Sequence, residues 1–161
     1  MSRSRALSLS LVALAAAALA LTGCSSDDGG SGKGSEGTSG GKGSAELTYK
    51  GGDGGKLSID SVGCATLDGK LTAITAPANA DSENPAKPSF TAAVSGEKAM
   101  VTLTTKDGTT YLHAAAPGVT GRESGDTWVV TVAGLKLEPT DPSGASITVD
   151  GTITCGSVVG I

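Results

Sequence analysis

Apolar and polar residues divide this chain into three parts. Residues 6–21 form an almost unbroken apolar run, and residues 25–45 are almost entirely Gly and Ser with scattered charges. After residue 45, short apolar segments alternate with polar residues and turn-forming pairs, and no long segment shows the 3.6-residue apolar period of an amphipathic helix. The pattern predicts three regions, at 1–23, 24–45 and 46–161.

The third region has the pattern of an all-β domain. Two pairs of candidate strands flank the dipeptides Asp68-Gly69 and Asp107-Gly108, which suit the two-residue turn of a type I′ hairpin. The candidate strands are 62–67 with 70–75, 100–106 with 109–114, and also 47–50, 57–60, 89–95, 127–133 and 145–155. About eight short strands with turns between them predict an antiparallel β-sandwich or a small barrel.

Alternation within these strands predicts which side chains fill the core. In the last strand one face carries Ile147, Val149, Ile153 and Cys155, and a bulge is expected at Gly151. Inward-facing side chains are also expected at Phe90, Val94, Val101, Leu103, Trp128, Val130 and Val132. Because the chain has only one Phe, one Trp and two Tyr residues, small aliphatic side chains must form most of this core.

The N-terminal region has the plan of a secretory signal. Arg3 and Arg5 give a positive start, and the apolar run follows. As a helix, its roughly 16 residues would span about 24 Å, which is less than the ~30 Å hydrocarbon core of a bilayer. A cleaved signal over residues 1–23 is therefore favoured over the alternative, an uncleaved membrane anchor.

The residues that end this run indicate a lipidation site. Leu21-Thr22-Gly23-Cys24 matches the lipobox of bacterial lipoproteins, in which small residues enter a narrow peptidase site and the Cys thiol receives a diacylglyceryl group. Cys24 is therefore predicted to carry fatty acyl chains such as palmitate. Two or more chains, at about 0.8 kcal/mol per buried methylene, make attachment to the membrane effectively permanent. The predicted location is the extracytoplasmic face of the cell membrane.

The segment that follows Cys24 is too polar to fold. It contains no aliphatic residue before Ala45, so it cannot bury apolar surface. Gly-rich coil statistics give residues 25–45 an end-to-end distance of roughly 25 Å. We expect a flexible tether that keeps the domain beside the membrane.

Cys64 and Cys155 remain once Cys24 is lipidated. An exported domain with two cysteines most simply pairs them in a disulfide. Free thiols and an intermolecular bridge are the alternatives. A metal site is disfavoured because the two thiols are far apart in sequence and lack a local ligand partner, and no cofactor is expected.

The domain offers little candidate chemistry. His113, the only histidine, lies on a predicted strand whose neighbours take the opposite face, so it is expected at the surface or at a sheet margin. No nucleophile and base form a recognisable pair, and the sequence predicts no enzyme. Without Arg3 and Arg5, ten basic residues face 16 acidic ones, a formal charge of −6 that repels nucleic acid. Sugar binding through stacked rings is disfavoured by the scarcity of aromatic residues.

Several short motifs in a fixed order resemble one known family. After the lipobox and polar tail come Ser61-Val62-Gly63-Cys64, Lys106-Asp107-Gly108-Thr109-Thr110-Tyr111, Gly118-Val119-Thr120-Gly121 and a closing Ile153-Thr154-Cys155. Together they resemble the mycobacterial nineteen-kilodalton lipoprotein antigen family, the LpqH-like proteins, over most of the mature chain. The resemblance implies a surface-associated antigen with a disulfide-tied β domain and no established enzymatic role.

Three functional hypotheses follow from these observations. The first is a cell-surface lipoprotein with an interaction or structural role, whose partner is an unknown envelope or host protein. The second is a carrier that holds an apolar or lipid ligand inside the β domain, which would need an apolar cavity of several hundred Å³. The third is an undetected hydrolase, which would need converging polar groups around a concave site.

Overall fold

The computed structural model describes residues 42–79 and 86–161. The predicted signal at 1–23, the lipidation site Cys24 and tether residues 25–41 lie outside these described residues. Every regular element within the described ranges is a β-strand, which confirms the all-β prediction. These ranges contain eleven strands, where the sequence predicts about eight.

The strands follow one another with short connections. They are β1 (Ser44–Lys50), β2 (Gly55–Ile59), β3 (Gly63–Leu67), β4 (Lys70–Ala76), β5 (Ser89–Ser95), β6 (Lys98–Thr104), β7 (Thr110–Ala116), β8 (Val119–Ser124), β9 (Thr127–Pro139), β10 (Ile147–Thr154) and β11 (Ser157–Gly160). The sequence pattern predicts neither β8 nor β11. In β8 only Val119 is buried, so the strand has almost no apolar alternation, although the Gly125-Asp126 pair that follows is a hairpin signal.

The strands form one strongly curled, mixed sheet with the shape of a half-barrel. Their order is β11-β3-β4-β5-β6-β7-β9-β10-β1-β2, with β8 beside β9. We call β8, β9, β10, β1 and β2 sheet A, and β11, β3, β4, β5, β6 and β7 sheet B. The C-terminal end of the long strand β9 joins the two sheets, because Glu138 and Pro139 pair with Leu112 and Tyr111 of β7.

One strand pair departs from the antiparallel prediction. β3 and β11 run parallel, while the other paired strands of the described ranges are antiparallel. The Gly156 and Ser157 amides both donate to the Val62 carbonyl, at 2.8 and 3.2 Å. Because the chain crosses from β10 to the starting point of β3, it can only continue along β3 in the same direction.

The inner faces of the two sheets share one apolar core. Most of the side chains predicted to face inward are buried, which confirms the alternation: Phe90, Val101, Leu103, Val130, Val132, Ile147, Val149, Ile153 and Cys155. Val94 and Trp128 are only half-buried and pack against the edge of the core. The bulge predicted at Gly151 is present, since the pairing of β10 with β9 shifts register between Val149 and Gly151.

The two predicted Asp-Gly hairpins differ in the structure. Asp68 and Gly69 have φ values of 50° and 67°, as a type I′ turn requires, so the first prediction is confirmed. The second hairpin is also present, between β6 and β7, but its predicted type I′ turn is wrong, because at Asp107-Gly108 only Gly108 has a positive φ, of 93°. The loop there spans residues 106–108 and is closed by the Thr105 amide, which donates to the Thr109 carbonyl at 3.0 Å.

Hydrogen bonds to the Asp107 carboxylate explain this longer turn. The hydroxyls of Thr105 and Thr109 both donate to Asp107, one to each carboxylate oxygen. These bonds favour a three-residue loop in which only the last residue, Gly108, takes the left-handed conformation. As a result β6 ends and β7 begins farther from Asp107 than the two-residue turn predicts.

The folded part begins before residue 46. β1 starts at Ser44, and Ala45 is fully buried between its partners on β2 and β10. The carbonyl of Lys42 accepts a hydrogen bond of 2.9 Å from the Val62 amide. A Cβ at Gly43 would collide with the backbone of Gly156 and Thr154, so the chain is already tightly packed at this point.

We expect trypsin to cut the folded protein after Lys33 but not after Lys42. Lys33 lies in the Gly/Ser-rich segment, whereas the bond after Lys42 is held by the hydrogen bond to Val62 and by the close packing of Gly43. Brief digestion of the folded mature protein should therefore yield a stable fragment that begins at Gly34, identified by intact mass.

Denatured and reduced protein is the control, because it should be cut after both lysines. A first stable product that begins at Gly43 would contradict the structural boundary.

Candidate functional site

A disulfide joins the two sheets at one end of the domain. Cys64 lies on β3 in sheet B and Cys155 directly follows β10 of sheet A, with their Cα atoms 5.8 Å apart. Both residues are buried. The predicted pairing is therefore confirmed, and Cys155 faces the core as the alternation indicates.

Hydrogen bonds tie several segments to this disulfide. The Cys155 amide donates to the Trp128 carbonyl at 2.9 Å, and the hydroxyl of Thr127 donates to the Cys155 carbonyl. On the other side, Val62 accepts from Gly156 and donates to Lys42. The start of β1, the start of β9 and the entry to β11 therefore meet at the same end of the fold.

An apolar groove lies beside this end. Its volume is about 270 Å³, and its apolar walls are Leu71, Val94, Val119 and Trp128. In sheet B, Leu71 lies near the start of β4 and Val94 lies near the end of β5. In sheet A, Val119 belongs to β8 and Trp128 to β9. The sequence places Trp128 in the core, but the structure leaves its side chain half-buried along the groove.

Gly121 allows the groove walls to come together. A Cβ at this position would lie 2.6 Å from Cδ2 of Leu71 and 3.2 Å from Cε3 of Trp128. A side chain here would push Leu71 off the face of β8, because 2.6 Å is well inside van der Waals contact. The sequence gives no direct signal for this groove, since its residues come from four separate segments.

The outer face of sheet B has almost no charge. The strand register places two rows of small or apolar residues across it: Val159, Ala65, Ala73, Ala93 and Met100 in one, and Gly63, Thr75, Thr91, Thr102 and Leu112 in the other. We call these ten residues the neutral face. Met100, Leu112 and Val159 are 57%, 43% and 56% exposed, so the face presents apolar side chains to solvent.

The outer face of sheet A has the opposite character. Its outward positions include Glu46, Lys50, Lys56, Arg122, Lys136 and Asp150. Charges of both signs keep a sheet face solvated and discourage association. The two outer surfaces of the domain are therefore chemically different, and only the neutral face resembles a contact surface.

A polar cluster lies at the β1–β2 and β6–β7 turns. Tyr49, Asp53, Asp107 and Tyr111 line a pocket of about 240 Å³ there. Burial raises the pKa of the Tyr111 hydroxyl, and the nearby charge of Asp107 raises it further. The hydrogen bonds from Thr105 and Thr109 lower the pKa of Asp107. Both carboxylate oxygens of Asp107 already accept hydrogen bonds that close the hairpin, so the main role of Asp107 is to stabilise this turn.

His113 also has a local structural role. It is half-buried opposite Val101 of β6, and its Nδ1 accepts a hydrogen bond of 3.1 Å from the Ala115 amide. This bond lies where the β6–β7 register shifts. Glu138 and Thr140 line the same surface depression, but the Thr140 hydroxyl donates to the Thr110 carbonyl.

The described residues contain neither a candidate metal site nor a candidate membrane-spanning helix. Within residues 42–79 and 86–161, no group of three or more His, Cys, Asp or Glu side chains could hold a metal ion. The same ranges contain no helix of the length and apolarity needed to cross a bilayer. Comparison of the chain with protein-family models, curated proteins and solved structures finds no match. The fold and its covalent bond define a disulfide-bonded, curled β-sheet domain.

Removal of the disulfide should destabilise the domain strongly. Cys64 and Cys155 are 91 residues apart, and the chain-entropy model gives about 4–5 kcal/mol for a loop of this length, an upper figure. The double substitution Cys64→Ala with Cys155→Ala should lower the thermal midpoint by more than ~10 °C, measured by circular dichroism.

A reducing agent supplies the control for this experiment. It should lower the midpoint of the wild type to a similar extent and leave the double variant unchanged. An unchanged midpoint after complete reduction, verified by mass, would contradict the expected contribution of the bond.

Proposed function

We propose that this chain is a cell-surface lipoprotein of the LpqH-like type. Acyl groups on Cys24 anchor it to the extracytoplasmic face of the cell membrane, and its β domain has an interaction or structural role in the envelope without catalysis. The domain acts as a rigid body that presents a binding surface, and the membrane is one of its two partners. The second partner is an envelope or host protein.

The Cys64–Cys155 disulfide is the observation that best supports export. Disulfides form and persist in oxidising compartments outside the cytoplasm. An apolar run and a lipobox at the N-terminus account for how such a domain would leave the cytoplasm and where it would stop. The two observations are independent, because one comes from the sequence of residues 1–24 and the other from the fold of the β domain.

The position of β1 supports a domain held close to the membrane. About 20 residues separate Cys24 from Ser44, and the Gly/Ser composition predicts a root-mean-square end-to-end distance of roughly 25 Å. The folded domain would therefore stay within about one domain diameter of the lipid surface. Partners in the same envelope layer, or proteins that contact the cell surface, are within its range.

The neutral face supports an interaction role. Solvated outer sheet faces usually carry charged residues, as sheet A does here. The neutral face instead combines rows of Ala and Thr with three exposed apolar side chains, Met100, Leu112 and Val159. Contact with a protein partner would remove these side chains from water.

Metabolic labelling tests the anchor. Cells given a fatty-acid analogue should incorporate it into the wild-type protein and should not incorporate it into Cys24→Ala, because only the Cys24 thiol can accept the acyl group. The wild type should fractionate with membranes, and the variant should not.

Ser25→Ala is the matched control, since it changes the next residue but keeps the thiol. Equal labelling of Cys24→Ala and the wild type would refute the lipoprotein assignment.

Site-specific photo-crosslinking tests the neutral face. A photoreactive residue at Ala93, in the centre of this face, should give one discrete crosslinked product of higher mass in intact cells. Ala133 is the matched control, because it is also an exposed alanine on a strand but lies on sheet A. Equal product patterns from the two positions would contradict an interaction through the neutral face.

A carrier of an apolar ligand is the second candidate function. The interior of the domain is filled by buried side chains such as Leu47, Phe90 and Leu103, so the space favoured for a ligand is the surface groove beside Trp128. A carrier and an interaction protein are compatible, because the groove and the neutral face are separate surfaces.

A further inference from the structure

We propose that the apolar groove binds one acyl chain of a bilayer lipid, which the tether to Cys24 keeps within its range. The inference rests on the proposed anchorage at Cys24 and adds a ligand class to it. It is carried by three observations: the apolar walls of the groove, its position relative to the entry of the chain, and its size.

The groove walls suit a hydrocarbon chain. Leu71, Val94, Val119 and the Trp128 ring supply the apolar surface, and Gly69, Gly96 and Gly121 leave it uncovered. A Cβ at Gly69 or Gly96 would meet no atom within 4 Å, so the groove is open at these turns. Lys70 and Glu97 stand at its rim with opposite charges, and the groove therefore has no preference for a cationic or an anionic ligand.

The groove lies close to the point where the tether joins the domain. Gly43 packs against the backbone of Thr154 and Gly156. Cys155 lies between these two residues in the sequence, and its amide donates a hydrogen bond of 2.9 Å to the Trp128 carbonyl. Only one strand of backbone therefore separates the entry of the chain from the groove residue Trp128. An anchor attached through residues 24–43 would therefore keep the groove within tether range of the lipid.

The size of the groove limits its occupant. A volume of about 270 Å³ is just below the roughly 300–1,000 Å³ of typical small-molecule pockets. It can cover part of a single acyl chain but not a whole lipid with its headgroup. Because the groove is open and near the membrane, a chain can enter it while the headgroup stays in the interface.

Trp128 makes the test direct, because it is the only tryptophan of the chain. Bromine atoms quench tryptophan fluorescence on contact, so brominated acyl chains report contact with the groove wall at Trp128. One sample is the lipidated mature protein in vesicles of phosphatidylcholine with brominated acyl chains. A second sample is the mature chain with Cys24→Ser, titrated in water with a brominated fatty acid. Unbrominated lipid and fatty acid provide the baselines.

Two matched substitutions separate the groove from the rest of the surface. Val94→Glu places a carboxylate on the groove wall, whereas Ala133→Glu places the same group at an exposed position of β9 in sheet A. We expect saturable quenching in both samples, with a half-saturation concentration at least tenfold higher in Val94→Glu and unchanged in Ala133→Glu. Val94→Thr, which keeps the shape of the side chain, should show a smaller increase and replaces Val94→Glu if that variant does not fold.

Each other result overturns the proposal in a defined way. No saturable quenching of the Cys24→Ser chain, or equal quenching in the two Glu variants, would mean that the groove binds no acyl chain. Quenching of the Cys24→Ser chain without quenching of the lipidated protein would mean that the acyl group on Cys24 itself fills the groove. Labelling of Cys24 is measured separately, so failure of the groove proposal is distinguishable from failure of the proposed anchor.

Discussion

The Cys64–Cys155 disulfide is the contact on which the arrangement of this domain depends. It connects the first strand of sheet B to the end of β10 in sheet A, where the chain then crosses to begin β11. Hydrogen bonds from Cys155 to Trp128 and from Gly156 to Val62 fix the neighbouring segments around it. Because Phe90 is its only fully buried aromatic side chain, the packing of the core contributes too little stability to replace this covalent link.

The sequence predicts those elements whose signals are local. The Asp68-Gly69 turn, the alternation in β10 and the bulge at Gly151 all follow from neighbouring residues, and the structure confirms them. The second hairpin is present, but its turn type is mispredicted because the Thr105 and Thr109 side chains, which select the longer loop, are not part of the dipeptide signal. β8 escapes prediction because it has almost no apolar alternation, and β11 because its pairing is decided by a distant partner, β3.

The candidate surfaces depend even more on distant residues. Cysteine pairing is predictable because two thiols in an exported domain leave few alternatives. The groove, in contrast, needs Leu71, Val94, Val119 and Trp128 from four strands, and the space between them depends on Gly121. The neutral face needs the register of six strands, because its rows extend across sheet B from β11 to β7. No pattern along a single segment contains this information.

The placement of β1 also determines how the domain responds to mechanical force. Tension on the proposed anchor would enter at Ser44 and run along β1, which lies between β2 and β10. Seven residue pairs with β10 and five with β2 would then be loaded in shear at the same time, rather than opened one after another. The adjacent disulfide would stop the end of β10 from peeling away. A protein held at a cell surface while its partner is pulled by flow or by another cell would resist unfolding by this geometry.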